Sequence, residues 1–186
     1  MASAFRGGNK IATPVRMRYQ SRDAATLRGV GGQMAELESQ LSLLCRANGR
    51  TCAFPLSSVV EIMRPLPVVP VAEAPGYVDG IAIIRGEPTP VVRTAKLVGG
   101  QDEEVARFVT LRAGSRFVAL AVESVLGVRG IPTRILRELP PLLRDTASDA
   151  VDRIGVLDAE LVAVLGHVTW LPESVFEATE RVADDS

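Results

Sequence analysis

Apolar residues recur along this chain in short runs, each a few residues long and each ended by a turn former. The runs "LSLLCRA" and "RTCAFPL" flank Asn48-Gly49. Asn-Gly is a strong signal for a two-residue hairpin, because both central positions of a type I′ turn need φ > 0. Closing that turn sets Ala47 opposite Arg50, Arg46 opposite Thr51 and Cys45 opposite Cys52. The pattern repeats at residues 106–112 and 116–122 around Ala113-Gly114-Ser115, and at 153–157 and 161–165 around Asp158-Ala159-Glu160. Between these, residues 81–84 and 89–92 read as strands reversed by Arg85-Gly86-Glu87-Pro88, with Gly86 supplying the unusual backbone angle and Pro88 ending a pairing. Several short strands at such spacing predict an all-β barrel or sandwich.

Helical signals are few. Ser58-Val-Val-Glu61 has capping-box spacing, with room for one turn before Pro65. Residues 133–139 predict a short helix stopped by Pro140-Pro141. The strongest candidate starts at Pro172 and carries Val175, Phe176, Thr179 and Val182 at helical spacing, which predicts a helix closing the fold against the strands.

Composition changes the picture in two ways. Hydrophobic residues make up 47% of the 186 residues and aromatics only 4%, so the core is built from Val, Leu, Ile and Ala. That argues against an aromatic platform for single-stranded nucleic acid. A net charge of −1 gives no global attraction to nucleic acid or an anionic membrane. Six of the 21 basic residues (Arg6, Lys10, Arg16, Arg18, Arg22 and Arg28) nevertheless fall within residues 1–36, against Asp23 and Glu36. With its glycine pairs and no sustained apolar period, this stretch reads as a flexible basic tail. A tail contacting nucleic acid or lipid, or translation starting at Met17 or Met34, are the alternatives. No run reaches the ~20 apolar residues of a membrane span, and no signal-peptide core occurs. A cytoplasmic protein is the expectation.

Candidate chemistry is sparse. Cys45 and Cys52 face each other at a separation a disulfide could span, although two buried, reduced thiols are the plainer reading. With His167 the only histidine, they make no zinc set, and no metal site is expected. His167 lies in an apolar context with no nucleophile elbow, and the Gly-Gly pairs lack the Lys-Ser/Thr of a phosphate loop. No catalytic residue and no cofactor are expected. Arg85 is thrown onto the surface beside apolar strand ends, where it is either a solvated turn charge or a fork for a partner's carboxylate.

One stretch is more specific than the rest. Pro75, Tyr77, Val78, Gly80, Arg85, Gly86, Pro90 and Val91 stand at the spacing of the CheW-like domain of bacterial chemotaxis adaptors. From about Ser39 to Phe176 the chain resembles that family, through "LSLLCRANGRTCAFPL", "VVEIMRPLPVVPV", "APGYVDGIAIIRGEPTPVV", "RFVALAVESVLGV" and "IGVLDAELVAVL". The resemblance implies two intertwined five-stranded SH3-like β-barrels with a C-terminal helix. It divides the chain into the tail 1–36, a CheW-like domain 37–177 and an acidic end 178–186. It also implies a non-enzymatic scaffold that couples a chemoreceptor's cytoplasmic tip to the regulatory domain of a CheA-type histidine kinase. Carried over residue by residue, Val59, Glu61, Gly80 and Arg85 line the receptor groove, and Gly86, Glu87, Pro88 and Pro90 face the kinase. Three departures stand out. Ile83 replaces a usual Asn, Arg93-Thr94-Ala95 replaces an acidic turn whose inverted charge should repel the usual partner surface, and Val122-Glu123 replaces Val-Asp. A divergent, non-motility signalling system with another protein partner is the alternative, and a basic, aromatic nucleic-acid-binding barrel does not fit the net acidic residues 37–186.

Overall fold

The computed structural model describes residues 39–101, 104–139, 150–166 and 168–184. The tail 1–36, Pro140-Pro141 and His167 lie outside them. Among the described residues, eleven strands form two mixed sheets. β1 (Ser39–Ala47), β2 (Arg50–Pro55), β8 (Ser124–Pro132), β9 (Arg137–Glu138), β10 (Val151–Leu157) and β11 (Glu160–Leu165) make a six-stranded sheet in the order β8-β1-β2-β11-β10-β9. β3 (Val59–Met63), β4 (Val78–Ile84), β5 (Glu87–Arg93), β6 (Arg107–Ala113) and β7 (Arg116–Val122) make a five-stranded sheet in the order β3-β6-β7-β5-β4.

The two sheets follow one plan. Each starts from one edge strand (β8 or β3), then one hairpin (β1-β2 or β6-β7), then a second hairpin (β11-β10 or β5-β4), the hairpins join through a parallel pair, and the six-stranded sheet adds β9 beyond β10. The first hairpin and the last four strands of the chain thus enclose the five-stranded unit, which accounts for the interleaving that the resemblance implied. The expected count of five strands each does not hold, and among the described residues neither ladder joins its two edges into a ring.

The turns are tighter than the sequence suggested. Cys45 pairs with Cys52 around Asn48-Gly49 as expected. The other three hairpins also close over two residues: Arg85-Gly86, Gly114-Ser115 and Asp158-Ala159. Glu87 and Pro88 therefore belong to β5 and not to a four-residue loop. In a two-residue hairpin Ile84 and Glu87 exchange the backbone bonds, so Pro88 and Pro90 fall at positions where β4 asks for no N–H. β7 pairs with β5 only from Val91, past both prolines.

Two helical expectations are corrected. Val59–Met63 is strand β3, paired to β6, and only Leu56–Ser58 before it forms a 3-10 turn. The β-branched Val59, Val60 and Ile62 prefer the pleated surface, which overrides a capping-box spacing. Thr133–Ile135 is likewise a single 3-10 turn, followed by the short strand β9. A four-residue helix, α1 (Thr94–Leu97), follows β5. The terminal helix α2 (Glu173–Asp184) forms where predicted and buries Val175, Phe176, Ala178 and Thr179.

Packing divides into three cores. The largest lies between the sheets and takes Leu43, Cys45, Cys52 and Phe54 from one side, Val118, Leu120 and Val122 from the other, and Val175 and Phe176 from α2. A second core inside the six-stranded sheet holds Leu44, Ala53, Val162 and Val164. The third, inside the five-stranded sheet, holds Ala82, Ile84, Val91, Phe108, Ala119 and Ala121. Alternate residues of β1, β2 and β7 thus enter different cores, which is why these strands read as unbroken apolar runs.

Candidate functional site

The site is built where side chains bridge the two edge strands of the five-stranded sheet. β3 and β4 are the outermost strands of that sheet. Glu61 stands on β3, and Arg85 occupies the first position of the turn that ends β4, with φ 55°, followed by Gly86 at φ 85°. Both positive angles are those of a type I′ turn. From there Arg85 Nε donates to Glu61 Oε1 at 2.7 Å and Arg85 Nη2 to Glu61 Oε2 at 2.6 Å. This side-by-side pair raises the Arg85 pKa further, through the hydrogen bond first and the Glu61 charge second. The Arg85 side chain remains 67% exposed over a Glu61 side chain that is 12% exposed. The molecule therefore shows a cation outward and keeps the carboxylate beneath it.

Beside this pair the backbone makes a further, isolated crossing. Val69, in the segment after β3, exchanges two 2.8 Å backbone bonds with Ile81 on β4. This crossing requires Gly80, whose φ is 141° and at which a Cβ would lie 2.1 Å from the Val69 carbonyl oxygen.

The eight expected site residues separate by depth. Glu61 and Arg85 touch. Val59, half-buried, packs against the core between the sheets, and Gly80 is buried under Val69. Gly86 and Glu87 are exposed in and just after the turn, Pro88 is half-buried, and Pro90 is buried. The surface at this end is completed by apolar residues. Val60 on β3, Ile83 on β4 and Val69 are all exposed. Of these, Ile83 was visible in the sequence as a departure from the family pattern, whereas Val60 and Val69 carried no signal of exposure.

Arg93 does not present the uncompensated charge expected of it. It is the last residue of β5 and pairs with Asp79 of β4, with Nη2 at 2.6 Å from Oδ2 and Nε donating at 2.9–3.0 Å. Both side chains are mostly buried, so the inverted charge is neutralised within the chain. Glu123 is also used internally, accepting the Gly49 N–H at 3.3 Å and so holding the first hairpin turn to the end of β7.

A second ion pair, with no signal in the sequence, repeats the geometry of the first. Arg129 on β8 donates to Asp158 in the β10–β11 turn, which again ties an edge strand to the turn of the second hairpin of the same sheet. Here the signs are exchanged, with the cation on the edge strand and the carboxylate in the turn. Among the described residues no group of three or more His, Cys, Asp or Glu could hold a metal.

The family model for the CheW-like domain matches residues 42–169, well over half of the chain. The chain belongs to the CheW-like family. None of the curated proteins matches it. Among solved structures, this CheW-like chain is similar to the scaffolding protein TtCheW from Thermoanaerobacter tengcongensis. The two share 19% identity and a TM-score of 0.60, with 69% of this chain and 90% of that one covered. At that identity the likeness concerns the fold. Among the described residues no helix is long and apolar enough to cross a membrane.

Proposed function

We propose that this chain is a non-enzymatic adaptor of a bacterial chemosensory pathway, coupling chemoreceptor tips to the regulatory domain of a CheA-type histidine kinase in the cytoplasm, at membrane-associated arrays. Residues 37–177 form its working body, each sheet acting as an SH3-like barrel whose last seam is an ion pair. The observation that carries the reading is the Glu61–Arg85 pair, which fixes an outward guanidinium at the end of a rigid hairpin beside exposed Val60 and Ile83. An arginine held beside apolar residues is a common composition for a protein-binding hot spot. In this reading Val59, Glu61, Gly80 and Arg85 shape the receptor contact. Gly86, Glu87 and Pro88 meet the kinase, with Pro90 setting the strand behind them.

Calorimetric titration of the full chain against the kinase regulatory domain and, separately, a receptor-tip fragment from the same organism tests this. Saturable binding to both is expected. A folded sample that binds neither would overturn the assignment. A second reading, an adaptor of the same fold in a divergent system with another protein partner, is favoured by one observation: Ile83 places an exposed apolar side chain where the family usually has Asn. Binding to neither cognate protein, with capture of a different kinase, is its signature.

A further inference from the structure

One edge of the six-stranded sheet has a free side: among the described residues β8 takes part in a single ladder, with β1. Beside it, between β8 and the β10–β11 hairpin, lies a cavity of about 290 Å³. Its floor is Leu44 and Val162 of the second core, Leu126 stands half-exposed at its mouth, and its rim carries Arg129, Asp158 and Glu160. The volume falls at the low end of the ~300–1,000 Å³ of ligand pockets and suits a few side chains. Both rim carboxylates have a cation nearby, Arg129 at Asp158 and Arg46 at Glu160. Their side chains are still 72% and 56% exposed, so each is open to a second cation. An uncovered edge strand with an apolar mouth is a liability that proteins blunt by covering it.

The chain carries a segment that fits. Residues 1–36 hold six basic side chains against two acidic ones, while residues 37–186 are net acidic. Within that stretch Met17 is the one apolar residue with an arginine on each side, Arg16 and Arg18. An unbranched, adaptable side chain between two guanidiniums matches an apolar hole with a carboxylate rim. Reach is no obstacle. β1 begins at Ser39, opposite Pro132 of β8, and Arg129 stands only three residues back along that strand, about 10 Å. The residues between Arg18 and Ser39 can span several times that distance at ~3.3 Å each.

We propose that the segment around Met17 docks on the six-stranded sheet of its own chain, with Met17 in the cavity and Arg16 and Arg18 at the carboxylates of Asp158 and Glu160. The basic tail is then an intramolecular cover, and a protein approaching this end of the sheet must displace it. Tethering makes a weak contact sufficient: a flexible linker of this kind gives an effective concentration of ~1 mM, so an intrinsic affinity in that range keeps the cover populated. The inference does not depend on the adaptor reading, since neither receptor nor kinase enters it.

Amide hydrogen exchange of the full chain, read by mass spectrometry, tests this in the wild type, in Met17→Asp and in the double variant Arg16→Glu with Arg18→Glu. Residues 118–122, in the core between the sheets, report whether each protein is folded. Expected is exchange at residues 15–19 and 126–129 that is slower in the wild type than in either variant by about fivefold or more, and independent of protein concentration. Glu160→Lys should weaken the cover in the wild type and restore it in the double variant. A segment 15–19 that exchanges like unfolded chain would overturn the proposal, as would variants that leave residues 126–129 unchanged or a double variant that Glu160→Lys does not restore. Protection that grows with concentration would also overturn it, because a second copy would then fill the cavity.

Discussion

Arg85 and Glu61 stand at opposite edges of the five-stranded sheet, yet paired bonds of 2.6 and 2.7 Å join them. The pair occupies the face of the guanidinium that a partner carboxylate would otherwise take. A partner therefore meets a fixed, outward-facing cation in place of a mobile side chain.

That arrangement predicts strong coupling between the two residues in binding. Arg85→Ala and Glu61→Ala should each weaken binding at the Arg85 end, and the double variant should cost hardly more than either single one. A titration-based double-mutant cycle measures this, and additive losses would mean that the pair does not act as a unit. The unfolding midpoint of Arg85→Ala should stay near that of the wild type, because the guanidinium is largely exposed and its removal opens Glu61 to water.

Two glycines beside this site should respond very differently to the same change. Gly80→Ala drives a methyl group into the Val69 carbonyl at a backbone angle that L-residues rarely adopt, and should cost about 2 kcal/mol or more. Gly86→Ala meets nothing within 4 Å and bears only the cost of its positive φ, about 1 kcal/mol. Urea denaturation of the two variants separates them, and equal losses would refute the tight crossing at Val69.

Reversing Arg93 tests its internal use. Arg93→Asp sets a carboxylate against Asp79 in a mostly buried position and should destabilise the fold by about 2 kcal/mol. Adding Asp79→Arg should recover most of that loss. If the single variant is as stable as the wild type, Arg93 faces a partner and not Asp79.

Stability should also fall in alkaline solution. Burial, with the neighbouring Cys52 second, pushes the Cys45 thiol up from its ordinary 9.0 to about 12. A group whose pKa is raised in the folded state contributes fully below its unfolded pKa, and that contribution is lost as pH climbs towards the folded value. Between about pH 9 and 12, urea unfolding should weaken by up to ~1.4 kcal/mol per pH unit, and Cys45→Ala should flatten the slope. An unchanged slope in that variant would assign the alkaline loss to other groups.

Hairpins were legible in the sequence because their turns are local: Asn48-Gly49 sets a register from two residues. The edge strands were not. β8 carries Gly127 and Gly130, ends at Pro132 and is half-exposed along its length, so it shows neither a run nor an alternation. β3 was hidden behind a capping-box spacing that only its pairing with β6 overrides. Arg85 and Glu61 could each be singled out, but their contact arises from the curl of a whole sheet and has no local signature. The burial of Pro90 and Gly80 escaped the sequence for the same reason.

The enclosure of one sheet by the other also fixes an order of events during synthesis. Every strand of the five-stranded sheet lies between residues 59 and 122, so that unit can assemble as soon as its own stretch has left the ribosome. β1 and β2 emerge first but find their neighbours β8 and β11 only after residue 124, and until then Leu44 and Ala53 have no strand to cover them. The earliest hairpin is therefore among the last to be finished. Such long-range pairing is slow and leaves an apolar surface open to aggregation while the chain grows.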